Sequence, residues 1–292
     1  MNGFLGLVMS NSWVVITGAS RGLGAFLSNS FWLRGWNVAL IARNRNDLLH
    51  LYSSMPKRPD QRAIFFQCDL SSADEVNLLV KKIKGQLPRL DALINNAAIH
   101  GPIGPFLQNN LTLWHKALQV NLMSPVTLCH GLIGFIANSG GGSVINISGG
   151  GATSPRAHFS AYSSSKAALV RFSETLAKEV WPHVRVNCIA PGAMKTRLLE
   201  EVVVSGKIIA GMDEFETAER VFVQGGAPMD RVADLALFLA SDISRDITGK
   251  LVSAVWDKWE EWPKHIEELQ ASDIYTLRRI SCRDRGMEWG DV

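Results

Sequence analysis

The sequence predicts an α/β doubly wound fold: a seven-stranded parallel sheet with helices on both faces. Three observations predict it. Short apolar runs alternate with helix-length segments; the runs are apolar almost throughout rather than at every second residue; and no linker or repeat interrupts the alternation. Strands of that composition are buried on both faces, as in a parallel sheet sandwiched between helices. Residues 1–255 are therefore read as one domain and residues 256–292 as a C-terminal extension.

The strands are placed at 13–17, 38–42, 64–67, 92–94, 143–147, 184–189 and 251–255, and the clearest helices at 22–34, 73–85, 111–138, 160–180 and 231–240. Residues 195–226 are read as a variable stretch that walls a pocket. Residues 1–10 are apolar but lack a basic start and a cleavage site, and fall short of the ~20 residues of a membrane span. They are read as a lead-in to the first strand.

The 292 residues are 47% hydrophobic and 20% charged, a globular composition. Thirty Lys and Arg against 27 Asp and Glu leave a net charge of +3, too small and dispersed for a nucleic-acid footprint. The four cysteines, Cys68, Cys129, Cys188 and Cys282, form no CxxC pair, and the seven histidines form no HExxH pattern. Reduced thiols and a cytoplasmic setting are expected, with no metal, membrane or nucleic-acid partner.

Chemistry begins at residues 17–24, where Gly18, Gly22 and Gly24 punctuate the turn from the first strand into a helix. Such a turn lets backbone approach a diphosphate at a helix N-terminus, although glycines also serve ordinary turns. The second strand ends Ile41-Ala42-Arg43 without an acid. A carboxylate there suits a ribose 2′-hydroxyl, whereas a cation suits a 2′-phosphate. Arg43, with Arg21 in the glycine turn, favours NADP(H) over NAD(H), which stays possible; solvated charges at Arg43 and Arg45 are the alternative. Tyr162 and Lys166, four apart on a predicted helix, share one face. A nearby ammonium lowers a phenol's pKa from ~10 by ~1–3 units.

These motifs recur in order with Asp69 after the third strand, Asn95-Asn96-Ala97-Ala98 after the fourth, Asn121 within a helix and Pro191-Gly192 after the sixth. With its GxxxGxG turn, the chain resembles the short-chain dehydrogenase/reductase family over about residues 12–255. The resemblance implies a Rossmann fold and hydride transfer between a nicotinamide and a carbonyl or alcohol, with Tyr162 moving the proton and Lys166 reaching the cofactor ribose. It implies that Gly18, Ser20, Arg21, Gly22, Leu23 and Gly24 cradle the cofactor, that Asp69 and Leu70 meet its adenine, that Asn95 and Ala97 line its cleft, and that Pro191 and Gly192 flank its nicotinamide. Asn121 would hold a water or a backbone kink on the relay to Lys166. The family also implies a homodimer or homotetramer. Taken alone, Asp69 reads equally as a helix cap and Asn95 as a turn residue.

One position departs from the pattern. The family's catalytic serine falls 13 residues before the tyrosine, which here is Gly149; Ser148 stands one earlier. Gly149-Gly150-Gly151 could absorb the shift, so Ser148 is taken as catalytic, with Thr153, Ser154 or a water as alternatives. On the substrate side, His100, Arg156, His158 and Met194 are read as contacts, the cations suiting an anionic or hydroxyl-rich molecule. Trp256, Trp259 and Trp262, with Ile266 and Leu269, are expected to pack the extension on the domain or on a second subunit. The expected function is an NADP(H)-dependent carbonyl reductase or alcohol dehydrogenase. The competing class is a cofactor-binding regulatory or scaffold protein with weakened catalysis, for which Gly149 is the sequence argument.

Overall fold

The computed structural model describes residues 11–289; the expected lead-in at 1–10 lies outside them. Alternate residues of a strand point to opposite faces, so a strand with helices on both sides must be apolar at every position. β1 (Trp13–Thr17) meets that condition: Val14 and Ile16 enter one core, Trp13 and Val15 the other. It is joined by β2 (Asn37–Ala42), β3 (Ala63–Gln67), β4 (Ala92–Asn95), β5 (Gly142–Ile147), β6 (Val184–Ala190) and β7 (Leu251–Ser253). All pairs are parallel, in the order β3-β2-β1-β4-β5-β6-β7. The order reverses between β1 and β4, and a crevice opens beyond their carboxyl ends.

One face is covered by α1 (Gly22–Leu33), through Leu23 and Leu27, and the other by α3 (Ala73–Gln86), through Val76 and Leu79. Between β2 and β3 lies a further helix, α2 (Arg45–Ser54), whose Asn44 cap accepts from the Asn46 amide at 2.9 Å.

The expected helix 111–138 is three pieces: α4 (Leu111–Leu118), a π-turn over Gln119–Met123, and α5 (Ser124–Asn138). By length and composition this span could cross a membrane, yet here Leu128, Cys129, Leu132 and Ile136 are sealed in the core beside α3. α6 (Ser160–Val180) follows β5.

Residues 195–226, the variable stretch expected to wall a pocket, are largely helical: they form α7 (Arg197–Ala210) and α8 (Met212–Gln224), separated at Gly211. α9 (Met229–Ala240) then packs beside α1. The extension carries α10 (Ile266–Ala271) and sinks Trp259, Trp262 and Leu269 into the core on the α9 side, with Trp259 and Phe238 ring centroids 5.3 Å apart. Its next residues follow the outer edge of β7, where Leu251 N–H donates to Tyr275 O at 2.8 Å and Lys250 Nζ to Ile274 O at 3.0 Å.

Candidate active site

The turn after β1 is held from β4. Thr17 Oγ1 accepts from the amides of Asn96 (3.0 Å) and Ala97 (3.1 Å), and Asn96 Nδ2 donates to Thr17 O at 2.9 Å. Gly18 is left-handed (φ 64), and a β-carbon there would lie 2.9 Å from Ala97 Cα; one on Gly24 would lie 2.0 Å from Gly18 O. Only glycine fits either position. α1 begins at this turn without a side-chain cap on its first amides, so they face the crevice as an anion site. The crevice is a cleft of about 1210 Å³ that runs from the turn to Tyr162.

Ser20, Arg21, Gly22, Leu23, Arg43, Asp69, Leu70, Ala97, Pro191 and Gly192 all line it. Arg21 and Arg43 are exposed there, and among the described residues neither has an ion-pair partner; Asp47 lines the same cleft. Burial pushes the Asp69 carboxyl up, but two hydrogen bonds from Ser71 (2.9 and 2.8 Å) and the charges of Arg43 and Lys116 outweigh it, leaving the group below its ordinary value. The glycine cradle, open helix terminus and flanking cations fit a dinucleotide phosphate chain. Asn95 is a correction. As the last residue of β4 it turns inward, donating to Asn146 Oδ1 at 2.8 Å, while Asn146 donates to Ser173 Oγ at 2.7 Å. The asparagine that shapes the cleft is Asn96, legible in the sequence only as its neighbour.

Tyr162 (7% exposed) and Lys166 (1%) stand one turn apart on α6. Lys166 Nζ donates to Ile147 O at 2.7 Å, at the end of β5. Burial lowers its ammonium to about 8. Burial raises the Tyr162 phenol, with the Arg156 charge acting the other way. The expected lowering of Tyr162 by Lys166 is therefore not found: the ammonium is engaged by the Ile147 carbonyl, and desolvation dominates. Asn121, in the π-turn and fully buried, brackets Ile99, accepting from its amide at 2.9 Å and donating to its carbonyl at 2.8 Å. Its Nδ2 also donates to Ser165 Oγ at 2.9 Å.

Gly149 meets the tyrosine: a β-carbon on it would lie 2.2 Å from Tyr162 Oη. Ser148 lines the cleft, but its Oγ is sealed from solvent and has no hydrogen-bond partner among the described residues, its amide continuing the β5–β6 ladder to Ile189 O at 2.8 Å.

Of the expected substrate residues, His100 and Met194 line the cleft. Arg156 lines it too but is committed, gripping Glu214 of α8 with two bonds of 2.7 Å and stacking 3.9 Å over the Phe159 ring. His158 is a correction: its left-handed backbone (φ 68) swings the ring away from the cleft to Ile209 O, 2.5 Å from Nδ1. Glu201 and Glu214 were not anticipated, because nothing in the sequence announces which face of α7 and α8 meets the site.

A family model described as short chain dehydrogenase matches residues 12–205. An uncharacterized oxidoreductase of Mycobacterium tuberculosis, MT0954, is 32% identical over 81% of this chain and 88% of its own length. The short chain dehydrogenase/reductase astE of Aspergillus oryzae is 29% identical over 82% and 91%. Among solved structures, a chain described as a short chain dehydrogenase from Escherichia coli CFT073, complexed with NADPH, superposes with a TM-score of 0.73 at 26% identity, covering 87% of this chain and all of its own. An NAD+-bound xylitol dehydrogenase shares the fold with a TM-score of 0.74 at 21% identity, over 84% and 97%.

Proposed function

The chain belongs to the short-chain dehydrogenase family and is an NAD(P)-dependent oxidoreductase; from that premise we propose that it interconverts a carbonyl and an alcohol with NADP(H), Tyr162 serving as general acid and base. The observation that carries this reading is the buried Tyr162–Lys166 pair at the end of a cleft that starts at the glycine turn. A bound dinucleotide supplies or takes the hydride there. Gly18, Gly24 and the α1 N-terminus would hold its phosphates, and Arg21 and Arg43 a 2′-phosphate. NADP and NADPH in two solved relatives of 26% identity support that preference; the NAD+-bound relative leaves NAD(H) open.

The buried Tyr162 suits the acid role that reduction needs. Burial keeps the Tyr162 phenol protonated at neutral pH, ready to give its proton to a developing alkoxide. Lys166, brought to about 8, can then return a proton near physiological pH. The substrate is a small carbonyl compound held between the β5–α6 loop and α7.

The test is NADPH and NADH oxidation against a panel of ketones and keto-sugars, for the wild type and Tyr162→Phe. Turnover with NADPH that falls by about 100-fold or more in the variant is expected. Full activity in Tyr162→Phe would refute the mechanism. Gly149 favours one second reading, a cofactor-binding regulatory or scaffold protein: tight NADPH binding without oxidation of any substrate would decide for it.

A further inference from the structure

A carbonyl oxygen that gains charge during reduction needs more than one preorganised polar contact, because removal of one typically costs 100- to 1000-fold in rate. Gly149 has no side chain to offer, and the Ser148 hydroxyl is sealed from solvent. Arg156 is held by Glu214, and Lys166 by Ile147 O. Thr153 and Ser154 line the same cleft, but the uncommitted polar side chain seen packed against the Tyr162 ring is His100.

His100 is 4% exposed, lines the cleft, and sets its ring edge-on to Tyr162 at 5.0 Å and to Phe159 at 5.3 Å between centroids. Its backbone is fixed on both sides. Asn121 brackets Ile99 by both backbone groups, and Gly101, left-handed at φ 73, leaves no room for a β-carbon, which would meet Ala117 Cβ at 2.8 Å. Its Nδ1 is sealed and lies 3.3 Å from Glu201 Oε2, close enough to pair though not aligned for a hydrogen bond. Such loose contacts are common in ligand-free sites and tighten on binding. A carboxylate at Nδ1 accepts a hydrogen bond from Nδ1–H and so holds the proton on that nitrogen, fixing the tautomer. Nε2 is then the nitrogen left for a ligand, accepting from an alcohol when neutral and donating to a carbonyl when protonated.

We propose that His100 is a further catalytic residue, whose Nε2 supplies the second polar contact to the substrate oxygen in place of the side chain that Gly149 lacks, and that Glu201 of α7 orients it. This role rests on the carbonyl–alcohol reading above. His100 holds the oxygen by a hydrogen bond only; the proton transferred is that of Tyr162. Since Glu201 sits on the pocket-wall helix, packing of α7 over a substrate also aligns the ring.

The experiment compares wild type, His100→Leu, His100→Gln, Glu201→Gln and Tyr162→Phe in NADPH-dependent ketone reduction, with NADPH affinity from fluorescence and melting temperature measured alongside. His100→Leu is expected to lower kcat/KM about 100-fold while NADPH affinity stays within about threefold. His100→Gln, which keeps a polar group at the same reach, is expected to recover about tenfold of that loss, and Glu201→Gln to cost about tenfold. If Tyr162→Phe is inactive while His100→Leu stays within threefold of wild type, the family mechanism stands and the role of His100 is overturned; a His100→Gln variant no better than His100→Leu overturns it too. Should the leucine variant unfold, Glu201→Gln decides, since that side chain is 42% exposed and outside the core: unchanged kinetics there overturn the proposal. A wild type that binds NADPH but reduces nothing overturns the parent reading and this role with it.

Discussion

A β-carbon on Gly149 would lie 2.2 Å from the Tyr162 hydroxyl oxygen, so the position the family gives to a serine is here the floor on which the tyrosine rests. Gly149 is not among the left-handed glycines, and an alanine could adopt its backbone freely. On backbone grounds alone, Gly149→Ala would stabilise by about 0.4–1 kcal/mol. The contact decides otherwise: overpacking against a buried ring costs about 1–3 kcal/mol. Both Gly149→Ala and the family-restoring Gly149→Ser are expected to lower the melting temperature and to reduce kcat by displacing Tyr162. Thermal unfolding and steady-state kinetics check this, and a Gly149→Ser enzyme more active than wild type would contradict it.

Lys166 makes a pH prediction. Its folded pKa, about 8, lies below the ordinary 10.5, so between those values the unfolded chain binds more protons than the folded one and stability rises with pH. Below about 8 the full cost of burying the ammonium is carried. A Lys166→Met variant lacks this dependence. Its unfolding free energy relative to wild type should therefore fall by about 1 kcal/mol per pH unit from pH 8 to 10. Denaturant titrations between pH 8 and 9 measure the difference most cleanly: the losses above pH 9 from buried Cys68 and Cys129, each pushed up to about 12, cancel, whereas that of Cys188, which feels the Lys166 charge, does not. A difference constant in pH would mean that Lys166 is solvated.

The sheet was legible because each buried strand declares itself by composition: Val14, Val15 and Ile16 leave no polar face, so strand and layer follow together. The glycine turn was legible for a similar reason, since Gly18 and Gly24 are dictated locally by backbone contact. What failed depended on direction rather than residue type. Asn95 and Asn96 are chemically identical, and which one faces the cleft is set by where β4 ends. α7 and α8 are broken up by Gly206 and Gly211, so no uninterrupted helical run announces them. Glu201 and Glu214 acquire meaning only once those helices fold back toward His100 and Arg156, a long-range event with no local signature.

Asn121 explains why the 111–138 helix tolerates a π-turn. An uninterrupted α-helix would place a different side chain at that point, and the amide and carbonyl of Ile99 would lose their partners. Asn121→Ala leaves both Ile99 backbone groups without their partner, where each unmet group costs about 1–3 kcal/mol, while the Ser165 hydroxyl keeps its bond to Tyr162 O. A loss of about 2–5 kcal/mol is expected by chemical unfolding, with kcat reduced more than NADPH affinity. An alanine variant as stable as wild type would mean that water replaces the side chain.

The extension separates two kinds of tryptophan. Trp262 is 5% exposed and stacks on Tyr275 with ring centroids 4.5 Å apart, in the same core as α1 and α9; Trp256 is 84% exposed at the rim of the cleft. Truncating a buried tryptophan costs about 3–5 kcal/mol, whereas an exposed one that supports no packing changes stability by less than about 0.5 kcal/mol. Trp262→Ala is therefore expected to lower the unfolding free energy by the first amount with little change in KM, and Trp256→Ala to leave stability intact while raising the KM of cofactor or substrate. Paired urea titrations and kinetics test both arms. If Trp262→Ala were neutral, the extension would be an appendage; the expected loss makes residues 259–277 part of the domain's own core, so a truncation before Trp259 removes fold as well as tail.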